Sequence, residues 1–450
     1  MAGIFKAYDI RGIAATELSE ELAYDVGRSF AIVTKAKGKT LIVGHDMRPT
    51  SQPFSHKVIQ GLRDEGVDVV DAGLVSTPLF YFAAQKYDGG CMVTASHNPP
   101  EYNGFKFVSE NLPVSYATGI EDMERLITHG MPPVAADAAK GSLKEQAFLK
   151  EFLAFNLKFL KTARKHTIII DAGNGMGGYT YTKLLPLLET RGITVKQLYF
   201  ELDGTFPNHE ANPLKLETLE DLKKAVKTTE GITLGLALDG DGDRCVFIDE
   251  KGEHITSDLT LGLISERLLK ERGKGTVVLD LRCSKAVREL VEESGGTAVP
   301  APVGYANIKP ICNDQKAIMG GEISGHFFPE PTGYNENTMF MLFEMLNLLE
   351  EKNVTLSAAV APLRKYANSG EINSKVKNAD AILAAVEEEY GSLPDRMDLS
   401  HLDGVRVEYP TWWFSVRKSN TEPVVRLIVE ADTREEMERR RDALLALIRG

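Results

Sequence analysis

Apolar runs alternate with helical segments along most of the chain. Runs of apolar and β-branched residues, which predict buried strands, occupy residues 40–44, 66–73, 166–173, 232–239, 275–280 and 316–321. Between the first two runs, apolar residues recur at helical spacing, and Ser51 predicts the start of a helix. This alternation predicts an α/β fold with mixed, mostly parallel sheets, in which ligand-binding loops follow the carboxyl ends of strands.

A pair of polar loops repeats three times along the chain. In each repeat, a loop with an aspartate follows one strand and a second polar loop follows a later strand. The first loops begin at Asp46, Asp171 and Asp280, and the second loops occupy residues 94–100, 239–244 and 320–326. The repeat predicts three similar α/β domains in tandem, at residues 1–145, 146–252 and 253–365.

The last part of the chain has a different pattern. Residues 371–376, 403–409, 412–420 and 424–432 are typical of exposed and half-buried strands. Thr433 and Glu436 have the spacing of a capping box, which predicts a final helix. The predicted apolar face of that helix consists of Met437, Leu444, Leu445 and Ile448. We therefore predict a small α+β domain at residues 366–450.

Composition and charge exclude some classes of function. The 450 residues include 52 Lys and Arg against 64 Asp and Glu, a formal net charge of −12, and 43% are hydrophobic. The hydrophobic content is typical of a folded protein. The negative net charge disfavours binding to nucleic acid or to anionic membranes. The four cysteines form no C-x-x-C pair, and there is no apolar leader or 18-residue apolar stretch. We expect a cytoplasmic protein without a membrane segment.

The first chemical motif is Thr94–Pro100, in which Ser96 precedes two prolines. Because proline continues neither a helix nor a strand ladder, Ser96 is expected on a stiff, exposed turn. Its hydroxyl could act as a nucleophile or carry a phosphoryl group, and nearby Lys106 could steady a phosphoryl oxygen. An ordinary loop serine is the alternative.

The second motif contains Asp239, Asp241 and Asp243 in a glycine-rich loop. Three carboxylates at this spacing repel one another, and a hard divalent cation would relieve the repulsion. The spacing partly matches an EF-hand, but Arg244 stands where the EF-hand turn needs glycine, and strands flank the loop. A solvated turn without metal is the other alternative.

The third motif is the glycine series Gly173, Gly175 and Gly178 after a strand. The spacing matches a dinucleotide-binding fingerprint, and acidic residues follow the next strand at Glu201 and Asp203. A tight strand-to-helix turn also selects glycine, so both interpretations stay open.

The fourth motif places Glu322, Ser324 and His326 on one short loop. In an extended loop, alternate side chains point in the same direction, so the three groups could bind the hydroxyls of a polyol. A glycine-rich turn with incidental polar residues is equally compatible with the motif.

The fifth motif is the cationic loop that begins at Arg417 and Lys418 and is followed by Arg426. Guanidinium, hydroxyl and amide groups in a tight turn could bind a phosphate, although a charged hairpin turn is the alternative. Together, the first, second, fourth and fifth motifs favour phosphoryl transfer on a phosphorylated sugar.

The ordered motifs YDIRG, TASHNP, DGDGDR, GEISGH and RKSNTEP span nearly the whole chain. With them the chain resembles the α-D-phosphohexomutase superfamily, and within it the bacterial phosphomannomutase/phosphoglucomutase group. The resemblance implies four domains around a central cleft. It also implies a phosphoserine enzyme that interconverts hexose 6-phosphate and hexose 1-phosphate through a hexose 1,6-bisphosphate, which also serves as activator.

The resemblance also implies roles for individual residues. Mg²⁺ would be held by Ser96, Asp239, Asp241 and Asp243. Catalytic roles would fall to Arg11, Ser96, His97, Lys106, Arg244 and His326. Substrate would be bound by Tyr8, Lys309, Glu322, Ser324, His326, Arg417, Ser419, Asn420 and Thr421.

The fourth motif indicates which sugar the enzyme prefers. The loop with Ile323 resembles the type that accepts mannose and glucose phosphates, and phosphoglucosamine mutase is the alternative. We expect a small-molecule sugar phosphate as the partner, no nucleic acid, and a monomer or homodimer. Rival hypotheses are a hydrolase that uses the same serine, a dinucleotide-dependent oxidoreductase, and a sugar-phosphate-binding module without catalysis.

Overall fold

The structure, a computed structural model, describes residues 3–134, 139–419 and 424–450. The strands are β1 (Ile10–Ile13), β2 (Thr40–His45), β3 (Asp68–Leu74), β4 (Gly89–Val93), β5 (Tyr102–Ser109), β6 (Leu112–Pro113), β7 (Leu143–Glu145), β8 (His166–Asp171), β9 (Ile193–Leu198), β10 (Leu234–Leu238), β11 (Cys245–Ile248), β12 (His254–Ile255), β13 (Thr276–Asp280), β14 (Thr297–Ala301), β15 (Met319–Gly321), β16 (Phe327–Pro329), β17 (Ala367–Asn368), β18 (Ile372–Lys375), β19 (Asp398–Ser400), β20 (Val405–Glu408), β21 (Trp412–Lys418) and β22 (Val424–Ala431).

The α-helices are α1 (Glu20–Val33), α2 (Ser51–Asp64), α3 (Thr77–Ala84), α4 (Ile120–His129), α5 (Leu149–Asn156), α6 (Met176–Glu189), α7 (Glu220–Thr228), α8 (Ser257–Arg272), α9 (Lys285–Glu293), α10 (Tyr305–Asp314), α11 (Thr338–Lys352), α12 (Leu356–Val360), α13 (Ala379–Tyr390) and α14 (Arg434–Arg449). Single 3₁₀ turns lie at Tyr116–Thr118, Leu216–Leu219, Glu330–Thr332 and Ala361–Leu363.

The chain forms two compact units. The first runs to Ser257 and also includes Ser324–Ala359, and the second consists of Asp258–Ile323 and Val360–Gly450. The four sheets correspond in chain order to the four predicted regions. Mixed α/β sheets precede an antiparallel α+β region, so the predicted fold class is confirmed.

The first unit contains two mixed sheets. The first has the order β1-β5-β4-β2-β3-β7, with β2 parallel to β3 and β4 and with β5 antiparallel to β4. Helices α1, α2 and α4 contribute to its core, which includes Phe30, Val58 and Met123. The second sheet has the order β12-β11-β10-β8-β9. In both sheets a central parallel strand ends where a polar loop begins, so the chemical motifs lie at strand ends.

The second unit combines a parallel and an antiparallel layer. Strand β13 is parallel to both β14 and β15. Strands β17 to β22 form an antiparallel sheet in the order β17-β22-β21-β20-β19, with β18 also paired to β22. Trp412, Phe414 and Tyr390 belong to its apolar core. The Thr433 side chain caps α14, and the four predicted apolar positions of that helix pack against the core, as expected.

The observed strands overlap the apolar runs that predicted them, with small differences at their ends. The run 66–73 becomes β3 (Asp68–Leu74), and the run 316–321 becomes the shorter β15 (Met319–Gly321). The trimmed residues include Gly66 and Lys316, both at positive φ, which is outside the conformation of a regular strand. In the part of the chain that the structure describes, no helix has the length and apolarity needed to cross a membrane.

Candidate active site

Ser96 lies on a tight turn directly after strand β4. Its φ of +50° is a left-handed backbone conformation, which costs energy in a residue with a Cβ and persists only where neighbours enforce it. The amide of Ser96 donates a hydrogen bond of 2.9 Å to Thr94 Oγ1. Ser96 is 1% exposed, so its hydroxyl is fixed in a buried position, whereas the sequence predicted an exposed turn.

Arg48, which follows strand β2, holds the serine turn in place. Its buried guanidinium donates hydrogen bonds to the main-chain carbonyls of Ser96 at 3.0 Å, Asn98 at 2.6 Å and Pro99 at 2.7 Å. The same group lies over the ring of Phe206, 5.1 Å from its centroid. One side chain therefore fixes three carbonyl directions around the Ser96 hydroxyl.

The hydroxyl of Ser96 points at the aspartate loop. It donates a hydrogen bond of 2.9 Å to Asp239 Oδ2 and lies 3.3 Å from His97 Nδ1. Burial, followed by the charges of Asp243 and Asp241, raises the pKa of Asp239 well above its usual value. The first and second motifs therefore form one site, and its carboxylates require a cation nearby.

Lys106 on β5 supplies one such cation. Its ammonium donates to Asp241 Oδ2 at 2.9 Å and to Asp243 Oδ2 at 2.6 Å. Burial lowers the pKa of Lys106, but these two carboxylates outweigh burial and raise it. Thr77 Oγ1 donates a further hydrogen bond of 2.6 Å to Asp241 Oδ2. Lys106 therefore stays protonated and bonded to the aspartates.

The three aspartates fit a hard divalent cation. One ligand oxygen from each of Asp239, Asp241 and Asp243 lies within 4.8 Å of the others. Oδ1 of Asp241 and Oδ1 of Asp243 are buried and accept no hydrogen bond from the described residues. Lys106 and Arg244, the latter 3.7 Å from Asp239 Oδ2, balance only two of the three negative charges. The donor set and the remaining charge suit an oxygen-coordinated dication.

Glycine at position 240 lets the serine turn and the aspartate loop meet. A Cβ at Gly240 would lie 2.4 Å from the carbonyl oxygen of Ser96, closer than atoms can approach. A Cβ at Gly175 would lie 2.6 Å from the Gly240 oxygen, and Met176 N donates to that oxygen at 2.8 Å. The third motif therefore packs against the aspartate loop, which favours the tight-turn interpretation of its glycines.

Arg11 on β1 borders the same turn. It donates to Asn98 Oδ1 at 2.8 Å and to the Ala95 carbonyl at 3.2 Å, and it forms an ion pair with Asp9. Tyr8 lies just before this strand and is half-buried. The first unit thus places the YDIRG motif beside the serine, as the sequence interpretation requires.

His97 is held neutral by its surroundings. Burial, and then the charges of Arg244 and Arg11, lower its pKa well below the usual value. Its Nδ1 lies 3.3 Å from Ser96 Oγ. The imidazole lies within reach of the serine hydroxyl, but its low pKa makes it a weak proton acceptor.

His326 approaches the aspartate loop from the fourth motif. Its Nδ1 lies 3.4 Å from Glu336 Oε1 and 3.9 Å from Asp243 Oδ1. The backbone also joins the two loops, because Cys245 N donates to the Gly325 carbonyl at 3.3 Å. His326 therefore belongs to the first unit together with Ser324, the residue two positions before it.

The remaining candidate residues lie in the second unit. Glu322 is buried, and its carboxylate lies 3.9 Å from Arg282. Lys309 is buried on α10. Arg417 on β21 donates to Glu371 Oε1 at 2.9 Å. Ser419 follows that strand and donates its amide to the Val424 carbonyl. The expected phosphate ligands Asn420 and Thr421 lie outside the described residues.

Family models match nearly all of the chain. The phosphoglucomutase/phosphomannomutase alpha/beta/alpha domains I, II and III match residues 2–129, 146–252 and 256–366, and the C-terminal domain matches residues 371–447. A phosphomannomutase of Methanocaldococcus jannaschii is 37% identical over 449 residues, covering 99% of this chain and 97% of that protein. The chain belongs to the phosphoglucomutase/phosphomannomutase family.

Other members of the family agree with this assignment. A phosphomannomutase/phosphoglucomutase of Pseudomonas syringae is 35% identical, covering 97% of this chain and 93% of that protein. The crystal structure of a phosphoglucomutase/phosphomannomutase family protein from Burkholderia thailandensis superposes with a TM-score of 0.90. It is 29% identical and covers 99% of this chain and 97% of that one. As a phosphohexomutase-type member of this family, the chain is an enzyme that acts on small molecules.

Several residues that contact the candidate residues were not predicted from the sequence. They are Arg48, Thr77, Arg282 and Glu336. A signal for Thr77 was present, because Ser76-Thr77-Pro78 is a typical helix start after strand β3. It would have placed Thr77 at the sheet edge that carries the serine turn.

Proposed function

We propose that the enzyme is a phosphomannomutase that also accepts glucose phosphates, and that it interconverts hexose 6-phosphate and hexose 1-phosphate. The observation that carries this proposal is the hydrogen bond of 2.9 Å from the buried Ser96 hydroxyl to Asp239, within a triad of aspartates. The names of the relatives from M. jannaschii and P. syringae favour mannose and glucose phosphates over the phosphoglucosamine alternative.

Ser96 carries the phosphoryl group in the proposed reaction. A sugar hydroxyl attacks the phosphorus of phosphoserine, the bond from phosphorus to Ser96 Oγ breaks, and the sugar becomes a hexose 1,6-bisphosphate. The hydroxyl proton passes to a base, for which His97, Lys106 and His326 are the candidates. The intermediate then turns over, and Ser96 Oγ attacks the phosphorus of the other phosphate as its hydroxyl proton passes to the base. The bond between that phosphorus and the sugar oxygen breaks, the sugar oxygen takes up the proton, and the second product leaves with phosphoserine restored.

The cation of the proposed site is Mg²⁺. Asp239, Asp241 and Asp243, together with an oxygen of phosphorylated Ser96, have the oxygen chemistry that Mg²⁺ prefers. Bound there, the ion would neutralise charge on the transferring phosphoryl group. Arg11 and Arg244 add positive charge beside the serine, and Lys106 keeps two of the aspartates in place.

The sugar and its second phosphate are assigned to the remaining candidates. Glu322, Ser324 and His326 would bind sugar hydroxyls, and Tyr8 would flank the reacting group. The non-reacting phosphate would be bound by Lys309, Arg417, Ser419, Asn420 and Thr421. Hexose 1,6-bisphosphate would serve as intermediate and activator.

The four predicted domains remain part of the proposal. The matched family ranges support divisions near residues 145, 252 and 365, since neighbouring matches end and begin close to these positions. Each domain would contribute one loop: the serine turn, the aspartate loop, the sugar loop and the phosphate loop.

A coupled assay tests the proposal. Mannose 1-phosphate and glucose 1-phosphate should be isomerised in the presence of Mg²⁺ and a trace of hexose 1,6-bisphosphate, and glucosamine 1-phosphate should be a poor substrate. Ser96→Ala should abolish turnover with the fold intact, whereas Ser392→Ala, at an exposed serine, should not change it. Preference for glucosamine 1-phosphate would favour the alternative, and release of free phosphate in step with substrate loss would indicate a hydrolase.

A further inference from the structure

Glu371 is surrounded by three arginines in the second unit. Its Oε1 accepts hydrogen bonds from Arg282 at 3.0 Å and from Arg417 at 2.9 Å. Its Oε2 accepts one from Arg426 at 3.1 Å. These residues come from separate parts of the chain, after β13, just before β18, on β21 and on β22. One carboxylate therefore joins the parallel and antiparallel layers of this unit.

The three arginines need an anion between them. Arg417 and Arg426 are directly opposite each other on neighbouring antiparallel strands, a position in which like charges destabilise a sheet. The side chains of Arg417 and Arg282 are only 3% and 5% exposed, so water screens their charges poorly. Burial raises the pKa of Glu371, but the three guanidiniums outweigh burial and lower it to about 2. The carboxylate is therefore a permanent anion at ordinary pH.

The arrangement presents the donors that a phosphate group uses. Guanidinium groups bind carboxylate and phosphate oxygens with the same N–H geometry, so the two anions can exchange on one set of donors. In the proposed function, Arg417 also binds the non-reacting phosphate of the substrate. Glu371 and that phosphate would thus require the same guanidinium.

We propose that Glu371 is an internal counter-anion, which holds Arg417 in the ligand-free enzyme and which the non-reacting phosphate of the sugar displaces from it. The inference rests on the proposed function, which assigns the non-reacting phosphate to Arg417. Arg282 also binds Asp280, with its Nε 3.0 Å from both carboxylate oxygens. When the phosphate displaces Glu371 from Arg417, Glu371 keeps its bonds to Arg282 and Arg426. Only the bond between Glu371 and Arg417 is exchanged.

The proposal predicts that removing the charge of Glu371 strengthens phosphate binding. Inorganic phosphate is the probe, and the protein is the full chain with Ser96→Ala, so that no turnover takes place. Affinity is obtained from the thermal unfolding midpoint as a function of phosphate concentration. Glu371→Gln should bind phosphate roughly tenfold more tightly, about the effect of one charge-assisted hydrogen bond that no longer has to be exchanged.

Two further variants show where the effect arises. Glu289→Gln removes a carboxylate of the same unit that binds Lys365 and Tyr366, and it should leave phosphate affinity unchanged. Adding Arg417→Gln to Glu371→Gln should abolish the gain. If Glu371→Gln does not fold, Glu371→Asp retains the charge with a shorter reach and should bind phosphate about threefold more tightly, because its hold on Arg417 is weaker.

Unchanged or weaker phosphate binding in Glu371→Gln, or an equal gain in Glu289→Gln, would overturn the proposal. A purely structural role for Glu371 predicts lower stability and weaker binding, never a gain in affinity. The measurement does not depend on mutase activity. If the parent enzyme isomerises no hexose phosphate, the proposed function is rejected. If Glu371→Gln still binds phosphate more tightly in that case, the role of Glu371 as counter-anion stands.

Discussion

The ammonium nitrogen of Lys106 lies 2.6 Å from Asp243 Oδ2 and 2.9 Å from Asp241 Oδ2. The sequence suggested that this lysine steadies a phosphoryl oxygen, whereas the structure places it as a partner of the aspartates. Lys106 balances part of the charge that a bound dication would also balance. Lys106 and a bound metal would therefore both stabilise the same loop, and their effects can be separated by mutation.

Lys106→Met should make the stability of the enzyme depend on Mg²⁺. Loss of a buried partner leaves two carboxylates uncompensated, which costs about 3–5 kcal/mol without metal. Thermal unfolding with and without Mg²⁺ measures the effect, and Mg²⁺ should restore more stability in the variant than in the parent. Lys57→Met, which removes a solvent-exposed pair with Glu20, should cost about 0–1 kcal/mol with no Mg²⁺ dependence. Equal losses with and without Mg²⁺ would contradict the prediction.

Arg48→Lys should lower kcat more than it changes KM. A single ammonium cannot reach all the carbonyls that the guanidinium holds, so the Ser96 hydroxyl loses its fixed direction. A displacement of about 1 Å at the reacting group costs about 100-fold in rate. Steady-state kinetics of the isomerisation measure the effect, and Arg125→Lys, at an exposed helical position, is the matched control. A kcat within threefold of the parent would show that the turn does not need Arg48.

Thr77→Val should weaken Mg²⁺ binding, whereas Thr77→Ser should retain it. The hydroxyl donates to Asp241 Oδ2 at 2.6 Å and orients a carboxylate of the proposed metal site. Loss of such an outer partner typically lowers metal affinity about 10–100-fold. The Mg²⁺ concentration that gives half-maximal activity, checked by the Mg²⁺-dependent shift in thermal unfolding, measures the change. Equal Mg²⁺ affinities in the two variants would show that the Thr77 hydroxyl has no role in metal binding.

Acid should weaken the second unit through Glu408. Burial raises the pKa of this carboxyl, but Arg288 and Arg406 outweigh burial and lower it from 4.5 to about 2. Because the folded pKa is below the unfolded pKa, the stabilisation is complete above about pH 4.5. The stabilisation is lost as the pH falls towards 2, because protons bind the unfolded carboxyl before they bind the folded one.

Urea unfolding at pH 6 and pH 3 tests this. Glu408→Gln should lose less stability between the two pH values than the parent, by about 1–2 kcal/mol. Glu435→Gln, at an exposed position in the first turn of α14, should show the same pH dependence as the parent. A parental pH dependence in Glu408→Gln would show that other groups cause the acid sensitivity.

The sequence predicted the strands and the loops that follow them, because buried strands produce apolar runs and chemistry concentrates where those runs end. It also predicted that Ser96 and the three aspartates belong to one reaction. It did not predict Thr77 beside Asp241, a contact between residues 164 positions apart. It also missed Glu371 among its arginines. Such contacts depend on how separate elements pack, and neither local periodicity nor a motif records them.

The close approach of Gly240 to Ser96 has a consequence for how this enzyme can change. The spacing between the reactive hydroxyl and the carboxylates is set by main-chain atoms in contact, because even one added carbon at Gly240 would lie 2.4 Å from the serine carbonyl. Side-chain substitutions in the sugar loop, such as those at Ile323, leave this backbone contact unaltered. In the proposed function, sugar preference depends on the fourth motif, so substitutions at Ile323 would change that preference without altering the spacing between Ser96 and the aspartates.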